Sequence, residues 1–171
     1  MSFILPLLLA GALASPATSF NSNVDDKIPR VRRVTIDTAA HRRVVADLVV
    51  RAKVAAEGGS LNEARAQLLV ANMMMRESGG LETVPVYNLV HINYALDRYV
   101  EAADLLIELS EEALKKGNPT LAATAAVDAA ELYMLGERRP QAVESVVRVR
   151  KLINDARVSD TVRDVLRKRL G

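Results

Sequence analysis

The amino-acid sequence predicts an all-α fold in which about three antiparallel helical hairpins stack in a short solenoid that ends in a C-terminal capping helix. Half of the 171 residues are apolar, and both phenylalanines lie among the first twenty, so the body is built from Ala, Val and Leu. This composition favours helices that pack closely through small side chains. From Thr38 onward the apolar residues recur at helical spacing, and the surroundings of Ala64 recur around Ala102 and Ala142.

Polar segments rich in Gly, Asn, Pro and Ser interrupt this helical periodicity. Such residues stop helices or cap their amino ends. The breaks, together with the polar turn around Asp97, predict seven helices. The breaks are residues 57–60, 78–85, 116–120, 136–140 and 158–160. No segment alternates convincingly with a period of two residues, so no strand is predicted.

A helical hairpin recurs three times in the predicted body. In each copy a long helix meets a short polar turn, and the second helix then starts with Ala64, Ala102 or Ala142. A larger apolar residue follows four positions later in each copy, namely Leu68, Leu106 and Val146. Because a single hairpin cannot bury its apolar stripe, the hairpins are expected to stack on one another.

Residues 42–157 resemble the tetratricopeptide repeat family, whose hairpins carry small residues where their two helices touch. The matching positions are Ala52, Gly59, Ala64 and Ala71 in the first copy, Leu89, Tyr99 and Ala102 in the second, and Ala130, Tyr133 and Ala142 in the third. The alanines that open the second helices are 38 and 40 residues apart, whereas the family period is about 34. Asp97 takes the place of a turn glycine. With Gly136 as the third turn glycine, one extra residue precedes Ala142.

The segment 159–170 predicts a capping helix. Ser159 or Asp160 is its expected N-cap. Its apolar face is expected to comprise Val162, Val165, Leu166 and Leu170, and the bases off that face are Arg163, Arg167, Lys168 and Arg169. Such a helix covers the last hairpin, and its closing bases suit the helix dipole.

The first 37 residues differ from the body. Residues 1–14 resemble a signal peptide, because their apolar run is shorter than the about 20 residues that span a bilayer and small residues fit cleavage after Ala14 or Ala17. A buried first helix of the domain is the alternative. Residues 15–37 predict a disordered linker, which leaves 38–171 as the helical domain. We therefore expect an exported chain, periplasmic or secreted, with no stable membrane span after signal cleavage.

The charges are unevenly distributed along the chain. Residues 97–112 contain six acids and one base, whereas residues 148–169 contain eight bases and three acids. Solvated helix faces explain this pattern, and a patch that steers a charged partner is the alternative. Nucleic acid is not a predicted partner, because no aromatic residue follows Tyr133 to stack on bases.

The sequence contains no motif typical of catalysis, metal binding or cofactor binding. It has no metalloprotease motif, calcium loop, phosphate cradle or nucleophile elbow, and the absence of cysteine excludes disulfides and thiolate metal sites. The histidines His41 and His91 share no ligand spacing. The consecutive residues Met73, Met74 and Met75 point in different directions on a helix, so we expect one or two of them to fill the core. We predict neither an enzyme nor a cofactor.

The family resemblance implies that the first helices of successive hairpins line a concave groove for an extended peptide or a partner's helix. Four polar or aromatic residues of the second hairpin share one side of its first helix, and residues of the other two hairpins flank them. The candidate groove residues are Lys53, Tyr87, Asn88, His91, Tyr94, Asp128 and Glu131. Packing of Tyr87 and Tyr94 between hairpins is the alternative interpretation.

These observations lead to one main hypothesis, a protein–protein interaction or scaffold module of the cell envelope that binds a peptide or partner protein. The alternative is a structural, self-associating envelope protein whose acidic middle meets the basic end of another copy. An enzyme is the third hypothesis.

Overall fold

A computed structural model describes residues 38–170, which form seven α-helices and no strand. The helices are α1 Thr38–Glu57, α2 Leu61–Glu77, α3 Thr83–Ala95, α4 Tyr99–Lys115, α5 Pro119–Leu135, α6 Arg139–Leu152 and α7 Asp160–Arg169. Each helix from α1 to α5 packs on the next one, and α7 packs on α5. The predicted all-α class and the predicted number of helices are confirmed. The predicted signal peptide and linker lie outside the described residues.

The hairpins are α1–α2, α3–α4 and α5–α6, and their helices form two layers. The first helices α1, α3 and α5 lie side by side, and Tyr87 of α3 donates a hydrogen bond to Asp128 of α5 over 2.8 Å. The second helices α2, α4 and α6 lie side by side as well. Ion pairs join them, Arg76 with Glu108 and Arg148 with Glu111. This arrangement is that of a short helical-repeat stack.

The turns after α1, α3, α4 and α5 share one backbone structure. Each contains a residue with positive φ, and these residues are Gly59 at 81°, Asp97 at 56°, Gly117 at 73° and Glu137 at 58°. The N–H of the following residue donates to the carbonyl five residues earlier, over 2.7 to 2.8 Å. This is the Schellman motif, which satisfies carbonyls that a helix end would leave unpaired.

Glu137, and not Gly136, is the left-handed residue of the third turn. In all three hairpins the small residue of the second helix follows the left-handed residue by five positions, in the pairs Gly59 and Ala64, Asp97 and Ala102, and Glu137 and Ala142. The alignment on Gly136 was therefore wrong, and no extra residue is present. Gly136 has φ −83°. A Cβ at this position would lie 2.8 Å from Val100 Cγ2, so glycine leaves room for that methyl group.

The second helix of the last hairpin ends earlier than the sequence predicts, at Leu152. The guanidinium of Arg163 donates to the carbonyl of Ile153 over 2.7 Å and to that of Val158 over 3.1 Å. A side chain of α7 thus pairs backbone carbonyls of the segment between α6 and α7. Ser159 is the N-cap of α7, as predicted, and its Oγ accepts from the Val162 N–H. Leu166 is buried, whereas Val165 is exposed, contrary to the predicted apolar face.

The predicted small residues lie at helix crossings. Ala64, Ala102 and Ala142 are all buried. The central helix α5 is buried on most of its circumference by neighbours on several sides. Its buried small residues are Ala122, Ala123, Ala125, Ala126, Ala129 and Ala130. Because α5 carries so many methyl-sized side chains, α4, α6 and α7 can all approach its backbone closely.

The consecutive methionines behave as predicted. Met75 is buried in a small cluster with Val45 and Ala71, Met74 packs partly against it, and Met73 is exposed. None of the helices between residues 38 and 170 is long and apolar enough to cross a membrane.

Leucine at the helix crossings should destabilise the fold. We expect Ala64→Leu and Ala102→Leu each to lower the free energy of unfolding by about 1–3 kcal/mol, because a buried position without spare volume is overpacked. Ala142 borders an open cavity, so Ala142→Leu should lower it less. Urea denaturation measures the difference. Ala66→Leu, at an exposed position of α2, is the matched control, and an equal loss there would contradict the crossing assignment.

Substitutions at the two central positions of the third turn should change the free energy of unfolding in opposite directions. Glu137→Gly should raise the free energy of unfolding by up to about 1.5 kcal/mol, because it removes left-handed strain of about 1–2 kcal/mol and adds an entropic cost of about 0.5–1 kcal/mol. Gly136→Ala should lower it, because the new methyl group meets Val100. Thermal and urea unfolding measure both. Stabilisation by Gly136→Ala would show that the close approach is relaxed in solution.

Candidate partner-binding surface

An open groove runs between the first helices α1 and α3. Two adjoining cavities of about 340 and 360 Å³ form it, and both are lined by Val49 and Val50 of α1. Apolar residues of α3, including Pro85 and Ile92, line its opposite side. We call this feature the α1–α3 groove. Val50 stays largely exposed at its edge, so the groove presents apolar surface to solvent.

Three of the seven candidate residues meet at one end of the α1–α3 groove. Lys53, Asn88 and His91 all line the cavity that contains Ile92. Lys53 forms an exposed ion pair with Glu57 at 3.7 Å, and a pair of this kind contributes little to stability. The ammonium group therefore stays available to a ligand at small cost. At the other end of the groove lie Arg42, Glu82 and the ring of His41, whose Nε2 is 2.6 Å from the Met74 carbonyl oxygen.

Three other candidates form a hydrogen-bonded network with the capping helix. Asp128 of α5 accepts from the Tyr87 hydroxyl over 2.8 Å and from the Arg169 guanidinium over 2.7 Å. Arg169 also donates to Glu131 over 2.9 Å. These contacts join α3, α5 and α7. Both carboxylates are already paired, so this part of the surface is engaged by the protein itself.

The seventh candidate, Tyr94, lies apart from both groups. It is half-exposed near the end of α3, and its ring makes an edge-on contact with Tyr99, with centroids 5.5 Å apart. The candidate residues thus divide among a groove, a network and a turn. The alternative interpretation, packing between hairpins, holds for Tyr87, whose hydroxyl bonds to the third hairpin. It does not hold for Tyr94, whose ring contacts Tyr99 of the same hairpin.

The sequence interpretation missed three residues of this surface. Val49 and Val50 precede Lys53 by four and three positions on α1, so helical spacing from that candidate would have indicated them. Arg169 was predicted only as a closing base of the capping helix. Its partners lie 38 and 41 residues earlier in the chain, and no local pattern links residues at that separation.

Two tyrosine hydroxyls are held protonated by their surroundings. Burial, and then the hydrogen bond to Asp128, raise the pKa of Tyr87 above its ordinary range. Burial and the hydrogen bond to Asp104, at 2.6 Å, raise the pKa of Tyr133 in the same way. Both bonds cross from the second hairpin to the third, so they hold the stack in register.

Comparison with protein-family models, with curated proteins and with solved structures found no match. Within residues 38–170 no cluster of three or more His, Asp or Glu side chains has the geometry to hold a metal ion. The grounds for a functional proposal are therefore the helical stack and its surface.

The two hydrogen-bonded tyrosines, Tyr87 and Tyr133, should make the stability depend on alkaline pH. At pH 8 the double variant Tyr87→Phe/Tyr133→Phe should lose about 1–3 kcal/mol of unfolding free energy, because two hydrogen bonds are removed. The raised pKa values keep the folded tyrosines protonated while the unfolded ones ionise above about pH 10. The stabilising effect is thus complete below pH 10 and declines above it, by up to about 1.4 kcal/mol per tyrosine per pH unit.

Urea denaturation between pH 8 and pH 11 measures this dependence. The deficit of the double variant should shrink as the pH rises. Tyr94→Phe, at an exposed position, is the control for pH 8 and should be nearly neutral. A deficit that is constant over the whole pH range would contradict the assigned hydrogen bonds.

Proposed function

We propose that this chain is an exported protein-interaction module that binds an extended segment of a partner protein along the α1–α3 groove. The observation that carries the proposal is this groove, with an apolar floor open to solvent and the side chains of Lys53, Asn88 and His91 at one end. Exposed apolar surface bordered by polar residues is typical of protein-binding sites. The proposal needs no cofactor.

The groove has dimensions that suit an extended peptide. It follows α1 from His41 to Ala56, which corresponds to about 22 Å at a rise of 1.5 Å per residue. An extended segment of about six or seven residues spans that length. Arg42 and Lys53 stand near its two ends, so apolar side chains on a segment with terminal or flanking carboxylates would match both the floor and the ends.

We infer that the hairpins belong to the tetratricopeptide type, in which first helices line the binding face. The constant separation of five residues between the left-handed turn residue and the small residue of the second helix supports this inference. So do the buried positions Ala64, Ala71, Ala102 and Ala142. The export assignment rests on residues 1–14 alone, which resemble a signal peptide. It places the module in the periplasm or outside the cell.

The alternative, self-association through the acidic middle, is less well supported by the structure. All six acids of residues 97–112 have partners within the described chain. The partners are Tyr99 for Asp97, Arg98 for Glu101, Tyr133 for Asp104, Arg76 for Glu108, Arg148 for Glu111, and Lys115 and Lys116 for Glu112. The exposed ion pairs among them contribute little, but a second copy that engaged Asp104 would have to break its hydrogen bond from the buried Tyr133. Light scattering across salt concentrations distinguishes the hypotheses, because charge-driven association weakens as salt screens it.

Site-directed photo-crosslinking tests the proposed groove. A photoreactive amino acid at Lys53 or Asn88, in the full chain expressed in its native cells, should yield the same partner adduct. The change Val50→Glu should reduce this adduct at least about tenfold, because it replaces apolar lining of the groove with a carboxylate that also competes for Lys53, three positions further along α1. Mass spectrometry of the adduct identifies the partner segment.

A matched pair of controls lies on the opposite layer. A photoreactive residue at Glu63 of α2 should give no such adduct, and Val70→Glu, also on α2, should leave the Lys53 adduct unchanged. Equal adducts from both layers, or none from the groove, would rule out the α1–α3 groove as the binding site.

A further inference from the structure

The last hairpin exposes apolar surface that the preceding hairpins cover. On α6 the residues Arg139, Val143, Val147 and Arg150 follow one another at spacings of four, four and three and share one side of the helix. Val143 is 62% and Val147 44% exposed. Beside them a cavity of about 390 Å³ opens between α5 and α6, with Met134 and Val146 in its lining. We call this surface the α6 strip.

Two of the four equivalent positions of the second hairpin are buried under the next first helix, and the other two, Tyr99 and Ile107, are partly buried. The alanines Ala102 and Ala142 set the equivalence at 40 residues, so Val143 corresponds to Ala103 and Arg150 corresponds to Ser110. Both equivalents are fully buried. Ser110 Oγ donates to the Ala122 carbonyl of α5 over 2.8 Å. In this stack the α6 strip thus has the position of a contact surface for another helix.

The capping helix covers only part of that surface. α7 has 10 residues where α5 has 17, so it is about two turns shorter. Its buried residue Leu166 packs with Val127, Val149 and Ile153, near the end of α6. Arg169 and Leu170 only reach the border of the cavity. The first two turns of α6 therefore remain uncovered.

The charges around the α6 strip favour an acidic occupant. Arg139 and Arg150 flank the two valines, and neither forms an ion pair with any residue of the described range 38–170. The acid that lines the cavity, Glu131, is already paired with Arg169 over 2.9 Å. A helix with an apolar stripe and flanking carboxylates is complementary to this arrangement.

A second copy of the chain is a poorer match for the strip. The opposite end of the stack carries the ion pair of Asp47 and Arg51 at 2.6 Å, at positions equivalent to the buried Pro85 and Leu89. Burying that pair in an end-to-end contact would cost several kcal/mol of desolvation. A symmetric contact between two α6 strips would instead bring Arg139 and Arg150 of both copies together, and like charges in an interface are unfavourable.

We propose that the α6 strip is a second docking surface, which takes the amphipathic helix of a partner whose apolar stripe is flanked by acidic residues. The partner helix lies along α6 and continues the stack where α7 ends. Its apolar side chains enter the cavity beside Val143 and Val147, and its carboxylates pair with Arg139 and Arg150. This surface lies at the far end of the stack from the α1–α3 groove and does not depend on it.

A pair of designed peptides tests the charge and the apolar requirement separately. The acidic probe is a fluorescent helix of about 18 residues, with leucine at positions i, i+4, i+7 and i+11 and glutamate on both flanks. The basic probe has lysine in place of each glutamate. Fluorescence anisotropy with the full chain should show binding of the acidic probe and at least about tenfold weaker binding of the basic one.

Three variants locate the binding. Val143→Ser/Val147→Ser should weaken binding of the acidic probe at least about tenfold. Arg139→Glu/Arg150→Glu should reverse the preference between the probes. Val54→Ser, at an equally exposed position of α1, should leave binding unchanged. All of these positions are solvent-exposed, so the melting temperature measured by circular dichroism should stay close to that of the parent chain.

Three results would overturn the proposal. The first is the absence of binding of either probe by a chain that stays monomeric in light scattering. The second is a preference for the basic probe. The third is a dimer that Val143→Ser/Val147→Ser disrupts and the acidic probe does not, which would identify a second copy as the occupant.

Discussion

Close contact between helices that present alanine to one another is the constraint on which this stack depends. Six of the seventeen residues of α5 are buried alanines, and α5 touches α4, α6 and α7. Dispersion between atoms falls steeply with separation, so a helix with methyl-sized side chains gains most when backbones approach closely. The positions of α4, α6 and α7 then follow from that of α5. This explains how a chain with six aromatic residues can build its core from small side chains.

Polar contacts between hairpins fix the relative positions of the packed helices. The hydrogen bonds from Tyr133 to Asp104 and from Tyr87 to Asp128 both join the second hairpin to the third, and Arg169 ties the capping helix to Asp128. Apolar contacts between alanines are nearly non-directional, whereas these bonds require one relative position of the helices. The same network occupies carboxylates on the face of the first helices, so it leaves the α1–α3 groove as the open part of that face.

The two ends of the stack are finished differently. At the first hairpin an exposed ion pair of Asp47 and Arg51 stands where the inner hairpins have buried residues. At the last hairpin α7 covers Val149 and Ile153 but leaves Val143 exposed. A charged end resists further stacking, because its burial requires desolvation of both ions. An apolar end accepts further helices, so interaction at the last hairpin follows from the same forces that assemble the inner ones.

The sequence by itself determined the helices, their number and the residues at their crossings, because helical periodicity, turn residues and small side chains act through neighbours along the chain. It predicted Lys53, Asn88 and His91 among seven groove residues, and the structure brings these three together at one cavity. Tertiary structure alone decided that Glu137, and not the glycine before it, takes the left-handed conformation. Gly136 instead makes room for the side chain of Val100, which comes from another helix. It also decided that Arg169 engages Asp128. Such contacts join residues about forty positions apart, where the packing of whole helices, and not local preference, sets the distance.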